Sequence, residues 1–177
     1  MILVFTGDGK GKTSAALGTV FRALGHGRRV LVIQFFKGDW PIVFGETVSA
    51  KRHKRLEFLQ MGAGFVKIMG DKKPMSVHKA AAARALQKAA RAILSGRYDL
   101  VVLDEIIYAL DHQRPTGLIS LTQLLTLLRK VPARTDVILT GRNAPERLIR
   151  AADLVTRMQN VKHPFEKGII AKKGIDY

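Results

Sequence analysis

Val4-Phe5-Thr6-Gly7-Asp8-Gly9-Lys10-Gly11-Lys12-Thr13-Ser14 is the stretch whose reading decides the fold. Ile2 to Phe5 is a short apolar, β-branched run, the pattern of a strand buried on both faces. Glycines follow at 7, 9 and 11, so the backbone can bend sharply and present its N–H groups without Cβ atoms in the way. Gly11-Lys12-Thr13 then opens a helix, Thr13 to Leu24, rich in Ala and Leu. Strand, glycine loop and helix in that order form a phosphate cradle. Loop amides and the positive helix end hold oxygens, Lys12 neutralises charge, and Thr13 offers a hydroxyl to Mg2+. The pattern G-x-x-x-x-G-K-[ST] places its first glycine at position 6, where this chain has Thr6 and the glycine falls at 7. A glycine-rich turn before an ordinary helix is the plainer alternative. The flanking strand and helix are the context the phosphate motif demands, so the stretch reads as a nucleotide site.

The chain has 177 residues, 47% of them hydrophobic, which suits one domain spanning 1–177 with a sizeable core. It has no cysteine, which excludes disulfides and thiolate metal sites and fits a reducing cytoplasm. Met1 to Phe5 has no basic region ahead of the strand, so no signal peptide is expected there. No apolar run reaches the roughly 18–20 residues of a membrane span, and no membrane partner is expected. The net charge is +16, with clusters at Lys51-Arg52-His53-Lys54-Arg55, at Lys67 with Lys72-Lys73, and at Lys162, Lys167 and Lys172-Lys173. Such patches attract polyanions or are simply solvated faces. Aromatics are 7% of residues and do not interleave with the basic clusters, so nucleic acid is not the expected partner.

Beyond the first helix, Gly25-His26-Gly27 reads as a C-terminal cap and Val30 to Phe36 as the next strand, a βαβ unit that implies a parallel sheet. Gly38 to Ala50, with Trp40, Pro41, Gly45 and Glu46, reads as a functional loop, and Leu56 to Met61 as a third strand. Gly62-Ala63-Gly64-Phe65 opens a loop running to Pro74; a helix from Ser76, capped by Ser76, continues to Ser95 and stops at Gly96. Asp99 to Asp104 (DLVVLD) is a strand ending in Asp104-Glu105. Placed beside the first strand, its terminal carboxylate would lie near Thr13 and a metal ion; alone, it could be no more than a capping acid. Pro115 to Lys130 is an amphipathic helix with Leu118, Leu121, Leu124, Leu125 and Leu128 on one side, read as core. Asp136 to Thr140 is a strand, Pro145 starts a helix ending near Ala152, and Leu154 to Met158 is another strand. Ile169 to Ala171 and Ile175 to Tyr177 read as short terminal strands. The expected fold class is α/β: a P-loop NTPase-type, mostly parallel sheet of about six strands with helices on both faces.

An ordered set of motifs resembles a known family. They are T-G-D-G-K-G-K-T at 6–13, Arg22, Q-F-F-K-G at 34–38, G-E at 45–46, G-A-G-F at 62–65 and L-D-E-I at 103–106. They continue with L-T-G-R-N-A-P at 139–145, A-D-L-V at 152–155, V-K-H-P-F at 161–165 and G-I-D-Y at 174–177. Together they are similar to the ATP:corrinoid adenosyltransferases, and more narrowly to the cob(I)yrinic acid a,c-diamide adenosyltransferase family of cobalamin synthesis. The displaced first glycine matches that family's variant loop.

The resemblance implies a reaction in which the lone pair of a corrinoid's Co(I) attacks the 5′ carbon of ATP. Triphosphate leaves and a Co–C bond forms, so no water-positioning base is needed. The nucleotide would lie reversed relative to ordinary ATPases, its ribose end free for attack. Carried over, Gly7, Asp8, Gly9, Lys10, Gly11, Lys12, Thr13 and Ser14 would bind triphosphate, while Thr13, Asp104 and Glu105 would hold Mg2+ or Mn2+. Lys12 would be catalytic through charge neutralisation of the leaving group. Arg22 on the first helix, Lys37 and Arg142 are further cofactor-binding candidates. Phe65 matches the loop aromatic that lies against the corrinoid's lower face, where an apolar ring that displaces an axial ligand eases reduction of Co(II). The family has Gly-Phe-Thr-Trp there and this chain has Gly64-Phe65-Val66-Lys67, so the lower face needs another cover, for which Met69 and Trp40 are candidates, or corrinoid binding is altered. Relatives can carry an N-terminal segment covering the nucleotide; here a lid is expected from a loop or a partner subunit. A homodimer and a flavoprotein reductant are implied as partners. Two other readings stay open: a basic P-loop ATPase acting on nucleic acid, and a homologue that binds ATP but has lost corrinoid activity. His163 and Phe165 are read as structural.

Overall fold

A computed structural model describes residues 1–38, 42–68, 70–112 and 117–177. Six strands form one sheet: β1 (Ile2–Thr6), β2 (Val30–Gln34), β3 (Leu56–Gln60), β4 (Leu100–Asp104), β5 (Asp136–Thr140) and β6 (Leu154–Arg157). Their order is β3-β2-β4-β5-β1-β6 and every pairing is parallel. Parallel pairing puts all six C-terminal ends on one edge, where ligands bind in open α/β sheets. The expected parallel α/β sheet is therefore found. One placement is corrected: β4 does not lie beside β1, because β5 is inserted between them.

The helices are α1 (Lys12–Gly25), α2 (Gly45–Ala50), α3 (Met75–Ser95), α4 (Leu121–Leu128) and α5 (Glu146–Ala151). The sheet alternates its side chains between two cores, as the strand period of two requires. Phe5, Val30, Val32, Leu100, Val102 and Ile138 meet Ala16 and Val20 of α1 on one face. Val4, Leu31, Ile33, Val101, Leu103, Val137 and Leu139 meet α3, α4 and Leu148 of α5 on the other. In α1 the buried Lys12, Ala16 and Val20 recur every four residues, which is one helical stripe. Along α3 the buried face is mostly alanine (Ala81, Ala82, Ala85, Ala89, Ala92), so the helix can approach the sheet closely.

Several boundaries differ from the sequence reading. The Gly38–Ala50 stretch contains α2, a short helix with Glu46 in its first turn. The N-cap of α3 is Pro74, and Ser76 lies inside the first turn without capping it. Leu118 precedes α4 and is held in an extended turn, its amide donating to the Ala109 carbonyl at 2.9 Å. No strand forms at Ile169–Ala171 or Ile175–Tyr177. Instead, Pro164–Lys167 forms one 3-10 turn, and Lys172–Tyr177 closes on itself through its own backbone hydrogen bonds. Trp40, Pro41, Met69 and Pro115 lie outside the described residues. Among the described residues, no helix is long and apolar enough to cross a membrane.

Candidate nucleotide site

The glycine loop sits where β1 ends and α1 begins, pressed against the chain that leaves β6. A Cβ on Gly7 would stand 2.3 Å from the Met158 carbonyl oxygen, and one on Gly9 would stand 2.4 Å from that of Gln159. The Gly9 amide donates to the Met158 carbonyl at 2.9 Å, which fixes this approach. Gly7 (φ 98°) and Gly11 (φ 113°) are also left-handed, so two separate constraints call for glycine at position 7. Thr6 is buried, and its hydroxyl accepts from the Ala144 amide at 3.0 Å. A side chain at position 6 thus ties the phosphate loop to the turn after β5, a contact that glycine could not make.

Lys12 folds back over the loop, donating to the carbonyls of Gly7 at 2.8 Å and Gly9 at 2.7 Å. Its ammonium pKa is pushed down by burial; Glu105, Asp8 and Asp104 pull it back up, and Arg142 adds to the lowering. The Thr13 hydroxyl donates to Asp104 Oδ1 at 2.8 Å, although β5 separates β1 from β4, because α1 crosses over β5 and β4.

Asp104 is 1% exposed and fully engaged. Oδ1 also accepts from the Thr140 hydroxyl at 2.7 Å, and Oδ2 accepts from Gln34 Nε2 at 3.0 Å. Gln34 stands opposite Asp104 in the β2–β4 register, and its own Oε1 accepts from Gln60 Nε2 at 2.9 Å. Glu105 follows with φ 66°, a left-handed conformation that costs of order 1–3 kcal/mol in a non-glycine residue. Its amide donates to Thr140 Oγ1 at 2.8 Å, which holds that turn. Burial, and then repulsion from Asp104, push the Glu105 carboxyl up to about 7.

A cavity of about 480 Å3 opens over these groups, lined by Lys10 to Ser14, Lys37, Glu46, Glu105 and the Gly174–Tyr177 segment. Lys37 pairs with Glu46 at 3.2 Å and lies 4.1 Å from the centre of the Phe44 ring. Arg142 is exposed just beyond β5, near enough for its charge to act on Lys12 and Glu105. Asp8 is exposed on the loop. Arg22 is brought elsewhere. It stands in the last turn of α1, ten residues or about 15 Å along the helix from Lys12, lining a different cavity with Met1, His26 and Asp136.

Among the described residues, no three His, Cys, Asp or Glu side chains cluster to hold a metal on their own. Thr13, Asp104 and Glu105 offer hard oxygens only, beside a cavity suited to phosphate. That donor set fits Mg2+ or Mn2+, which take a few protein oxygens and complete their shell with phosphate and water. Burial and the neighbouring Asp104 raise the Glu105 carboxyl, so a divalent cation bound beside these oxygens would favour its charged form.

Phe65 lies on the loop after β3. Its ring stacks on Phe36 (centroids 5.6 Å apart, 9° between planes) and meets Tyr108 edge-on at 6.5 Å. The loop is clasped by Asp71, which accepts from the amides of Lys67 at 2.9 Å and Lys73 at 3.2 Å and pairs with the buried His78 of α3 at 3.0 Å. Lys73 Nζ closes the circuit on the Ala63 carbonyl at 2.8 Å. Lys67 itself is exposed and left-handed (φ 57°).

The family model "ATP:corrinoid adenosyltransferase BtuR/CobO/CobP" matches residues 1–177. The chain belongs to the ATP:corrinoid adenosyltransferases. Curated relatives agree: it is 38% identical over 177 residues to the corrinoid adenosyltransferase of Escherichia coli K12, covering all of this chain and 85% of that one. The Salmonella typhimurium corrinoid adenosyltransferase CobA gives the same identity and coverage. The Pseudomonas aeruginosa corrinoid adenosyltransferase is 40% identical over 178 residues, with 100% and 83% covered. Among solved structures, the flagellar accessory protein FlaH of Methanocaldococcus jannaschii superposes with a TM-score of 0.56 at 12% identity, over 88% of this chain and 69% of that one, a likeness of fold alone.

In this adenosyltransferase the residues that reading by motif left without a role are Thr6, Gln34, Gln60, Thr140 and Asp176. Each is polar at the C-terminal end of a strand or on a distant turn. For Gln34 and Thr140 the signals were a polar residue ending an otherwise apolar strand and a place in the motifs at 34–38 and 139–145, neither of which gives a role.

Proposed function

We propose that the protein transfers the 5′-deoxyadenosyl group of ATP to the Co(I) of a corrinoid, releasing triphosphate. The observation that carries this reading is the coupled pair at the loop: Lys12 enclosed by the Gly7 and Gly9 carbonyls, and Thr13 bonded to buried Asp104. Gly7 to Ser14 would bind the triphosphate, with Lys37 in the cavity wall and Arg142 nearby as further cationic contacts. In the reaction the cobalt lone pair forms a bond to the 5′ carbon as the bond from that carbon to the triphosphate oxygen breaks. Negative charge grows on the departing oxygens, and Lys12 is placed to neutralise it on leaving its loop carbonyls. Thr13, Asp104 and Glu105 would hold the divalent cation, whose chemistry here is charge neutralisation of the polyphosphate. No side chain need take a proton from water, because none attacks. Phe65, held by Phe36 and Tyr108 and half-buried, would present its exposed edge to the corrinoid.

The same reading takes the 177 residues as one domain, supported by the single continuous sheet. It includes a homodimer, a flavoprotein as the source of the Co(I) electron, and a cytoplasmic location, all by analogy with the family. Incubating the protein with ATP, Mg2+ and chemically reduced cobalamin should yield a light-sensitive Co–C product and stoichiometric triphosphate. ADP and phosphate released on addition of DNA or RNA would overturn it.

A further inference from the structure

Gly174, Ile175, Asp176 and Tyr177 all line the phosphate-loop cavity, yet no step of the proposed reaction uses them. They are not a loose end. Within the turn, the Gly174 amide donates to the Tyr177 carbonyl and the Asp176 amide to the Lys172 carbonyl, each at 2.8 Å. The Lys172 amide returns a bond to Asp176 Oδ2 at 2.7 Å. This turn aims the other carboxylate oxygen, Oδ1, at Lys10 Nζ, with which it forms an ion pair. Tyr177 meanwhile lies against the start of α2, its backbone 3.9 Å from where a Cβ on Gly45 would be. The segment therefore spans from the phosphate loop to the helix that carries Glu46.

A carboxylate paired with Lys10 occupies a cation of the loop that would otherwise face the phosphates. The chain has 14 acidic residues against 30 lysines and arginines, and one of those few acids rests on the loop that must receive a polyanion. In charge and hydrogen-bonding capacity a carboxylate oxygen stands in for a phosphate oxygen. We propose that Asp176 is a placeholder in the nucleotide site: it occupies Lys10 when no nucleotide is bound, and the incoming triphosphate takes Lys10 from it, releasing the Gly174–Tyr177 wall. This rests on the phosphate loop being a triphosphate site, and it makes Asp176 a positioning residue that sets how tightly that site binds.

The test is calorimetric titration of the whole protein with inorganic triphosphate in the presence of Mg2+, comparing wild type with Asp176→Asn and Asp176→Ala. Asparagine keeps an acceptor for the Lys172 amide and removes only the charge, whereas alanine removes both. The pair is partly exposed, so relief of the competition should lower the Kd of Asp176→Asn by about two- to fivefold. That gap should close as salt is raised, which a merely structural role would not produce. An Asp176→Asn Kd equal to or weaker than wild type would overturn the inference, whatever Asp176→Ala does. If wild type binds but the variants do not differ, only the placeholder fails; if wild type binds no triphosphate, the proposed function fails and the placeholder with it.

Discussion

The nucleotide half of the site and the Phe65 loop are built on different principles. The nucleotide half is a convergence of strand ends. Thr13, Gln34 and Thr140 all donate to one buried carboxylate, and the loop glycines are wedged against the backbone after β6. The Phe65 loop is held instead by ring contacts and by one acid, Asp71, that gathers two amides and the buried His78 imidazole. The first arrangement is rigid because moving one donor leaves a buried group unpaired. The second is tied to α3 mainly through that one acid and not through strand ends. On the proposed reaction a departing triphosphate would need fixed charges, whereas a corrinoid would need an apolar surface such as Phe65 offers.

The comparison breaks if the two halves respond alike to substitution. Lys12→Ala should show the largest effect, about 100- to 1000-fold in kcat, the usual consequence of removing one transition-state charge donor. Triphosphate release under single-turnover conditions measures it, and near-normal turnover would remove Lys12 from the mechanism. Asp104→Ala strands the Thr13, Thr140 and Gln34 donors in a buried site, so a loss of about 1–3 kcal/mol is expected. At this chain length that lowers Tm by a few degrees for each kcal/mol, readable by calorimetry in the ligand-free protein.

Phe65→Ala should cost less, about 0.5–1.5 kcal/mol of ring contact. It should leave the Kd for ATP unchanged and slow adenosylation from Co(II) under a weak reductant more than from preformed Co(I). An equal loss from both cobalt states would mean that Phe65 is only packing. Glu105 supplies a pH test. A carboxyl whose folded pKa is raised from 4.5 to about 7 adds stability that is fully present below pH 4.5 and lost as pH climbs through 7. Ligand-free protein should therefore show a downward step in Tm across that window, and Glu105→Gln should flatten it. Lys67→Trp should have the smallest effect on turnover. Lys67 adopts a left-handed backbone, where a bulky indole is disfavoured, so Tm should be measured beside the rate. Faster turnover of Co(II) substrate is expected; an unchanged rate would mean the lower face is covered by another group.

Much of this molecule is legible locally. The alternation of apolar strands with an alanine-rich helix, and the glycine–lysine–threonine run, are properties of neighbouring residues. They follow from periodicity and from where a backbone needs glycine. The acid pair at 104–105 was found the same way, as a polar end to an apolar strand. Its supposed neighbour strand was wrong, however, because nothing in DLVVLD records that β5 inserts between β4 and β1. The cap expected at Ser76 is also absent: α3 starts at Met75 after Pro74, with no side-chain cap.

What the chain alone determined, then, is the sequence of elements and the chemistry of the phosphate loop, since both are written in residues a few positions apart. Only the tertiary structure decided which polar groups stand behind that loop. Thr13 meets Asp104 across 91 positions, Gln34 meets Asp104 across 70, and Thr6 receives Ala144 across 138. Such pairings are set by strand order and register, which are fixed by burial of the whole sheet and leave no mark in any short stretch of sequence.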